Sequence, residues 1–382
     1  MLKAGEEYDA PVRKGILWGG IVISRLSCGR LLLVAASIAA AAICGGRACA
    51  QSFQEYSYPN PYGAAEAFGH LPKGRMWGST SAVILDAQGH IWVGERCGKN
   101  SCTGSALDSI LEFDSSGKLL KSFGGGLLAV PHSIYFDKAG NIWVTDSGEL
   151  RLPGAPAPDP ATAAKETKGH VAIKFSPEGK ILMTLGKPGV SAEGPDTFRE
   201  PNAVVEGANG DLFVSDGHVP HKGSARIVKF TKDGKFIKQW GGLGSAPGQF
   251  DVPHALALDS KGRLFVADRA NKRIQIFDQD GNFLEAWTQF GSPSGIFIDR
   301  NDVMYVSDSQ AEWTDPKADR YNPGFEHGVH VGNARDGRVT AFVPMPVPPN
   351  GDNAPEGIAA DVMGNIYIAE TIVRGVWKYT KK

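Results

Sequence analysis

Two Val-Pro-His triplets, Val130-Pro131-His132 and Val252-Pro253-His254, fall at the same point of a repeated sequence unit. Each copy of the unit ends on a carboxylate. Counting fourteen residues back from each closing acid gives Ser81, His132, Asn202, His254, Ser294 and Glu356. Imidazoles that recur in phase in a repeat protein are carried to equivalent points about an axis. Two imidazoles, a carboxylate and an amide meeting there make a cation site. Neutral imidazole with one carboxylate suits zinc, and also iron or manganese, whereas calcium wants more oxygens. His132, His254, Glu356 and Asn202 are therefore the expected ligands of a divalent metal, zinc first. A wet channel mouth also carries polar residues that are merely solvated, but two imidazoles in register with a glutamate favour the metal.

The elements that must position them are written in the repeat itself. The copies are AVILDAQGHIWVGE (82–95), SIYFDKAGNIWVTD (133–146), AVVEGANGDLFVSD (203–216), ALALDSKGRLFVAD (255–268), GIFIDRNDVMYVSD (295–308) and GIAADVMGNIYIAE (357–370). Each reads as strand, tight turn, strand and acid. The turn glycine is free to take positive φ, and only the fifth copy lacks it, having Asp302 there. Two further strands follow each unit, as in ARIVKFTKDGKFIKQWG (225–241). Four strands in six copies predict an all-β chain folded as a six-bladed β-propeller. The sixth copy runs out one strand short, so a strand between Gln51 and Met76 should close the ring and cover two open sheet edges.

Bulk properties narrow the function classes. Basic residues followed by the apolar run Leu31–Ile43 and Ala48-Cys49-Ala50 read as a secretory signal over 1–50, with the propeller domain over 51–382. That expects an exported protein, periplasmic or secreted, with no membrane span once the signal is cleaved. Of the five cysteines, Cys97 and Cys102 remain in the mature chain, and in an oxidising compartment they favour a small disulfide over a zinc pair. Removing the signal region, with six Lys/Arg and three Asp/Glu, takes the net charge from −1 to −4. Nothing in that balance favours a nucleic-acid partner.

The repeats resemble NHL repeats across nearly the whole mature chain. Residues 198–290, with LFVSDGH followed by ARIVKFTKDGKFIKQWG and then PGQFDVPHALALDSKGRLFVADRANKRIQIF, look closest to the peptidyl-α-hydroxyglycine α-amidating lyases. The resemblance implies zinc held by three histidines at such strand starts, and His132 and His254 match two of them. At the third position Glu356 replaces an imidazole, and Gly357 stands where the family's structural calcium takes an aspartate. Arg96 and Arg269, each directly after a closing acid, match arginines near the family's site and would grip a substrate carboxylate. His218 falls where the lyases carry a tyrosine proposed as the base. It reads as a base, a further ligand or an exposed loop residue.

Loops 147–169 and 309–328 should overhang this rim, with Trp313, Arg320 and Tyr321 placed to roof a pocket. His327 and His330 should face opposite sides of a strand and share no metal. The expected activity is that of a metal-dependent lyase splitting a carbinolamide into an amide and glyoxylate, acting on a small molecule or peptide at the channel mouth. A lactonase-type hydrolase on the same platform, or a non-catalytic binding scaffold, is the alternative.

Overall fold

Five of the six copies fold around an acidic turn, the third having Gly207 at that position. In blade 1 the Asp86 carboxylate accepts the backbone N–H groups of Gln88 and His90, and Asp137, Asp259, Asp299 and Asp361 do the same in their blades. Such Asx turns reverse the chain tightly, so the hairpin follows from the sequence. Where the fifth copy lacks glycine, Asp302 takes φ 62°, a conformation that Asp tolerates better than most residues.

The computed structural model describes residues 58–149, 167–311, 315–346 and 352–382. The expected signal segment 1–50, Trp313 and most of the 147–169 loop lie outside them. The described residues form six four-stranded antiparallel sheets, an all-β propeller. Blades 1 to 5 are consecutive in the chain, with innermost strands Thr80–Leu85, Pro131–Phe136, Pro201–Glu206, Pro253–Leu258 and Pro293–Ile298. Blade 6 starts at Pro355–Ala360 and continues through Ile366–Glu370 and Gly375–Lys381. Its fourth strand is Tyr62–Phe68, paired antiparallel with Gly375–Lys381. The strand expected between Gln51 and Met76 therefore closes the ring, and blade 6 has no open edge there.

Burial grades outward through each blade. Second strands such as Leu264–Asp268 are wholly buried, while outer strands such as Phe236–Gly241 are mostly exposed. Between neighbouring blades the three inner strands and the loops leading into them supply the apolar filling, as where Phe213, Phe250, Leu256 and Phe277 pack together. Each fully buried aromatic or aliphatic side chain of this kind contributes roughly 1.5–3 kcal/mol by leaving water. The axis is lined by the innermost strands alone, around a central cavity of about 320 Å³.

Candidate active site

The innermost strands share one irregularity. In blade 2, Pro131 pairs with Asp146 and Ser133 with Thr145, so His132 is the extra residue of a bulge. Ser81, Asn202, His254 and Ser294 are skipped in the same way, and a longer slip spans Glu356. A bulge re-aims a side chain out of the pleat. Proline precedes the skipped residue in five blades, where the ladder asks for no donor.

The closing acids explain why the bulges are so regular. All six are fully buried. Each carboxylate accepts backbone N–H groups from the segment leading into its own innermost strand. Asp146 takes those of Ala129 and Val130, Asp216 those of Arg199 and Glu200, and Asp268 that of Asp251. Burial raises the pKa of Asp146 and Asp216, and that of Asp268 to about 6. These acids are structural clamps that set the height of each ring residue.

Three imidazoles meet at the mouth: His132 and His254 from the bulges, and His218 from the loop after Asp216. Their ligand nitrogens lie within 4.8 Å of one another. The ring centroids form a near-equilateral triangle, with sides of 4.7 Å (His132–His254) and 5.0 Å (each to His218). All three tautomers are fixed from behind. His132 Nδ1 donates to the Asn202 carbonyl at 2.9 Å, and His254 Nδ1 to the Ser294 carbonyl at 2.7 Å. His218 Nδ1 donates to Asn202 Oδ1 at 2.9 Å, because the Asn202 amide nitrogen is itself donating to the Gly217 and Pro253 carbonyls. Every Nε2 is therefore a lone pair. Those of His132 and His254 are buried without a partner. Burial lowers the His132 pKa to about 4 and drives those of His218 and His254 well down, so all three are neutral near pH 7. Second-shell carbonyls behind neutral imidazoles are what a zinc ligand needs, and the residues fit the ion.

The geometry bears on two further residues expected at the site. Asn202 was expected among the ligands, but its amide is spent on orienting His218, so it stands behind the triangle. Glu356 was also expected as a ligand. Its two oxygens each lie 3.8 Å from one of the Nε2 atoms of His132 and His254, a spacing that ligands of one ion can share. Glu356 Oε1 is also 3.6 Å from an Arg269 terminal nitrogen, and Oε2 accepts no hydrogen bond among the described residues. Gly357 also has no room for a side chain, since a Cβ there would lie 2.6 Å from the Ser81 carbonyl oxygen.

Both arginines reach the site. Arg96 and Arg269 are 5% and 3% exposed, with Nε of each, and one terminal nitrogen of Arg269, lacking a hydrogen-bond acceptor among the described residues. Burial lowers the pKa of both, that of Arg269 to about 10, while Glu356 opposes the shift, so both stay charged. Arg320 adds a further positive field on Arg269. The residue after the closing acid is Ser147, Gly217, Ser309 or Thr371 in the other blades, so the two guanidiniums are special to this side of the rim. Arg96 is tethered through Asn100 (2.9 Å) on a loop closed by the Cys97–Cys102 disulfide that the sequence favoured. His330 is buried between Phe325 and Phe342, and His327 bonds Asn353. Sequence reasoning missed Asn202 as the brace of two histidines, and no pattern in the repeat announces it.

The model of the NHL repeat family matches residues 250–277. The chain carries an NHL repeat. It is 32% identical over 219 residues to mouse peptidyl-glycine alpha-amidating monooxygenase, covering 51% of this chain and 20% of that protein. It is 30% identical over 201 residues to human NHL repeat-containing protein 3, covering 51% and 50%. A probable peptidyl-alpha-hydroxyglycine alpha-amidating lyase of Caenorhabditis elegans is 31% identical over 159 residues, covering 41% and 39%. The chain thus spans half or less of each of these relatives. Among solved structures, a gluconolactonase of Xanthomonas campestris superposes with a TM-score of 0.51 at 13% identity, covering 85% of this chain and 100% of its own. A streptogramin B lyase gives 0.50 at 17%, covering 84% and 98%. At such identity the structures speak for the fold alone.

Proposed function

We propose that the protein is a zinc-dependent lyase that splits the N–C bond of a carbinolamide, releasing an amide and glyoxylate. The observation that carries this reading is the triangle of neutral imidazoles set under two buried arginines with unused donors. His132, His218 and His254 would hold the ion. Zinc held there would supply Lewis acidity to the substrate hydroxyl and carbonyl oxygens. Arg269 and Arg96 bind the substrate carboxylate and turn its hydroxyl-bearing carbon toward the triangle. His218 faces the triangle with one nitrogen and Asn202 with the other, which leaves Glu356 as the proton acceptor. Its Oε2 takes the hydroxyl proton as the C–O bond becomes a carbonyl. The N–C bond breaks with its electron pair on nitrogen, and that nitrogen receives the proton. Atoms and charge balance with no further reactant.

The local identity to amidating lyases supports this reaction over lactone hydrolysis. The Cys97–Cys102 disulfide supports export to an oxidising compartment. The test is incubation of the zinc-loaded protein with a peptide ending in α-hydroxyglycine and a glyoxylate assay. Glyoxylate released in step with the amide is expected, with release lost in Glu356→Gln. No glyoxylate from protein with one zinc at the triangle rejects the lyase, and a protein that binds no zinc there leaves the scaffold reading.

A further inference from the structure

Blade 1 departs from its sisters at the end of its first hairpin, away from the ring residues. In blades 2, 3 and 6 the third strand places a lysine opposite the aromatic residue of the second: Lys174 opposite Trp143, Lys229 opposite Phe213 and Lys378 opposite Tyr367. Each ammonium lies 5.4–5.7 Å from the ring centroid it covers. Lys229 reaches Asp211, at the far end of its own hairpin turn, at 3.2 Å, and Lys174 also neutralises the hairpin acid Asp137 at 2.5 Å. Blade 4 does the same with Arg263 on Asp259 at 2.7 Å.

In blade 1 the lysine position, opposite Trp92, is Glu112. The turn position that is Asn141 in blade 2 is His90. The hairpin acid Asp86 thus meets an imidazole and a second carboxylate instead of a cation. His90 Nδ1 is 2.8 Å from Glu112 Oε1 and 3.4 Å from Asp86 Oδ2, and the three donor atoms fall within 4.8 Å of one another. Glu112 is 7% exposed, and its buried Oε2 accepts no hydrogen bond. Lys121 stands 3.4 Å from that oxygen, but its ammonium donates to the Pro177 carbonyl and covers the Trp92 ring. Asp86 is held by the Trp92 indole N–H at 2.9 Å, a second-shell contact that fixes one oxygen and leaves it lone pairs. Two carboxylates against one ammonium leave the pocket anionic, and a nitrogen with two oxygens is a donor set that zinc accepts.

We propose that Asp86, His90 and Glu112 form a second zinc site on blade 1, independent of the axial triangle. The site is structural: it ties the first hairpin to the third strand of its blade, where the sister blades use a lysine.

The variant His90→Asn/Glu112→Lys copies Asn141 and Lys174 of blade 2, so it should keep the blade folded. Zinc is titrated into the full chain against a competing chelator, with melting followed in parallel. The otherwise native chain should bind one equivalent more than this variant. In a His132→Ala/His254→Ala background one equivalent should remain, raise the melting temperature, and vanish when the blade 1 changes are added. The proposal is overturned if the blade 1 variant binds as much zinc as the native chain, or if the axial variant binds none. A native chain that binds the blade 1 equivalent and none at the triangle would sink the proposed function and leave this site standing.

Discussion

Blades 2, 3 and 4 bring imidazoles to the axis, two from the bulge and one from the loop after Asp216, whereas blades 5, 6 and 1 turn Ser294, Glu356 and Ser81 there from the bulge. The hairpin, the proline and the buried closing acid are common to both halves, so these features build the ring and do not choose its chemistry. Even the serines are occupied structurally: Ser81 Oγ donates to the Pro131 carbonyl and Ser294 meets Ser309. The chemistry lies in departures from the repeat, namely two histidines at bulges, a histidine after Gly217, and an arginine after two of the six acids.

The sharpest way to break the contrast is to remove the imidazoles. His132→Ala/His254→Ala should abolish the axial zinc equivalent and the lyase activity while the propeller still folds, checked by metal analysis and circular dichroism. Ser81→Ala/Ser294→Ala, the matching change on the other half, should leave the axial zinc in place. Retained zinc in the histidine variant would erase the distinction. Next in size is the rim. Arg269→Ala removes charged hydrogen bonds of about 1.5–3 kcal/mol to the substrate carboxylate and should raise KM roughly 10–100-fold. Arg269→Lys should recover only part of that, because an ammonium cannot grip a carboxylate in two places.

Asn202 tests the support behind the metal. Asn202→Ala removes the acceptor of His218 Nδ1 while leaving the backbone carbonyl that orients His132. Axial zinc affinity should fall about 10–100-fold, as is usual for outer-shell partners. An unchanged affinity would mean that His218 is not in the set.

Acid pH sharpens the same point in the metal-free protein. The His132 pKa is lowered by burial from 6.5 to about 4, so in the folded state it stays neutral where the unfolded chain takes a proton. The unfolded state binds more protons below pH 6.5, and stability falls from there down to about pH 4. For His132 alone the loss is on the order of 3 kcal/mol. His218 and His254 shift in the same direction and add to it. His132→Ala should flatten part of this slope in urea titrations run across that range, and an unchanged slope would show that the histidine titrates freely.

How much of this was legible depended on whether the cause was periodic. The propeller, its closing strand, the ring position of His132 and His254, and the paired cysteines follow from repeats and spacing that any reader of the chain can count. The role of His218 does not. Its direction depends on Gly217, where a Cβ would lie 1.7 Å from the Ser224 carbonyl oxygen, and on the Asn202 side chain sixteen residues before it. Glu356 was found as a ring residue, but its pull toward Arg269 is a through-space effect between blades 4 and 6. The blade 1 cluster stayed hidden because Glu112 meets His90 only through the pairing of Trp92 with Glu112.

The smallest expected effect concerns the link between the two arginines. Arg269 follows its closing acid on a chain that needs no added tie, whereas Arg96 lies on a loop pinned by Cys97–Cys102, with Cys97 at φ 54°. The bridge closes a short loop, which by chain-entropy reasoning contributes about 2 kcal/mol. Cys97→Ser/Cys102→Ser should therefore lower stability modestly. If Arg96 is held for substrate by that loop, KM should also rise a few-fold with kcat little changed, because uniform binding is what is lost. Zinc content should not move, since neither cysteine touches the triangle. A fall in stability with KM unchanged would assign the bridge to the scaffold alone and leave Arg269 as the only guanidinium whose placement matters to the substrate.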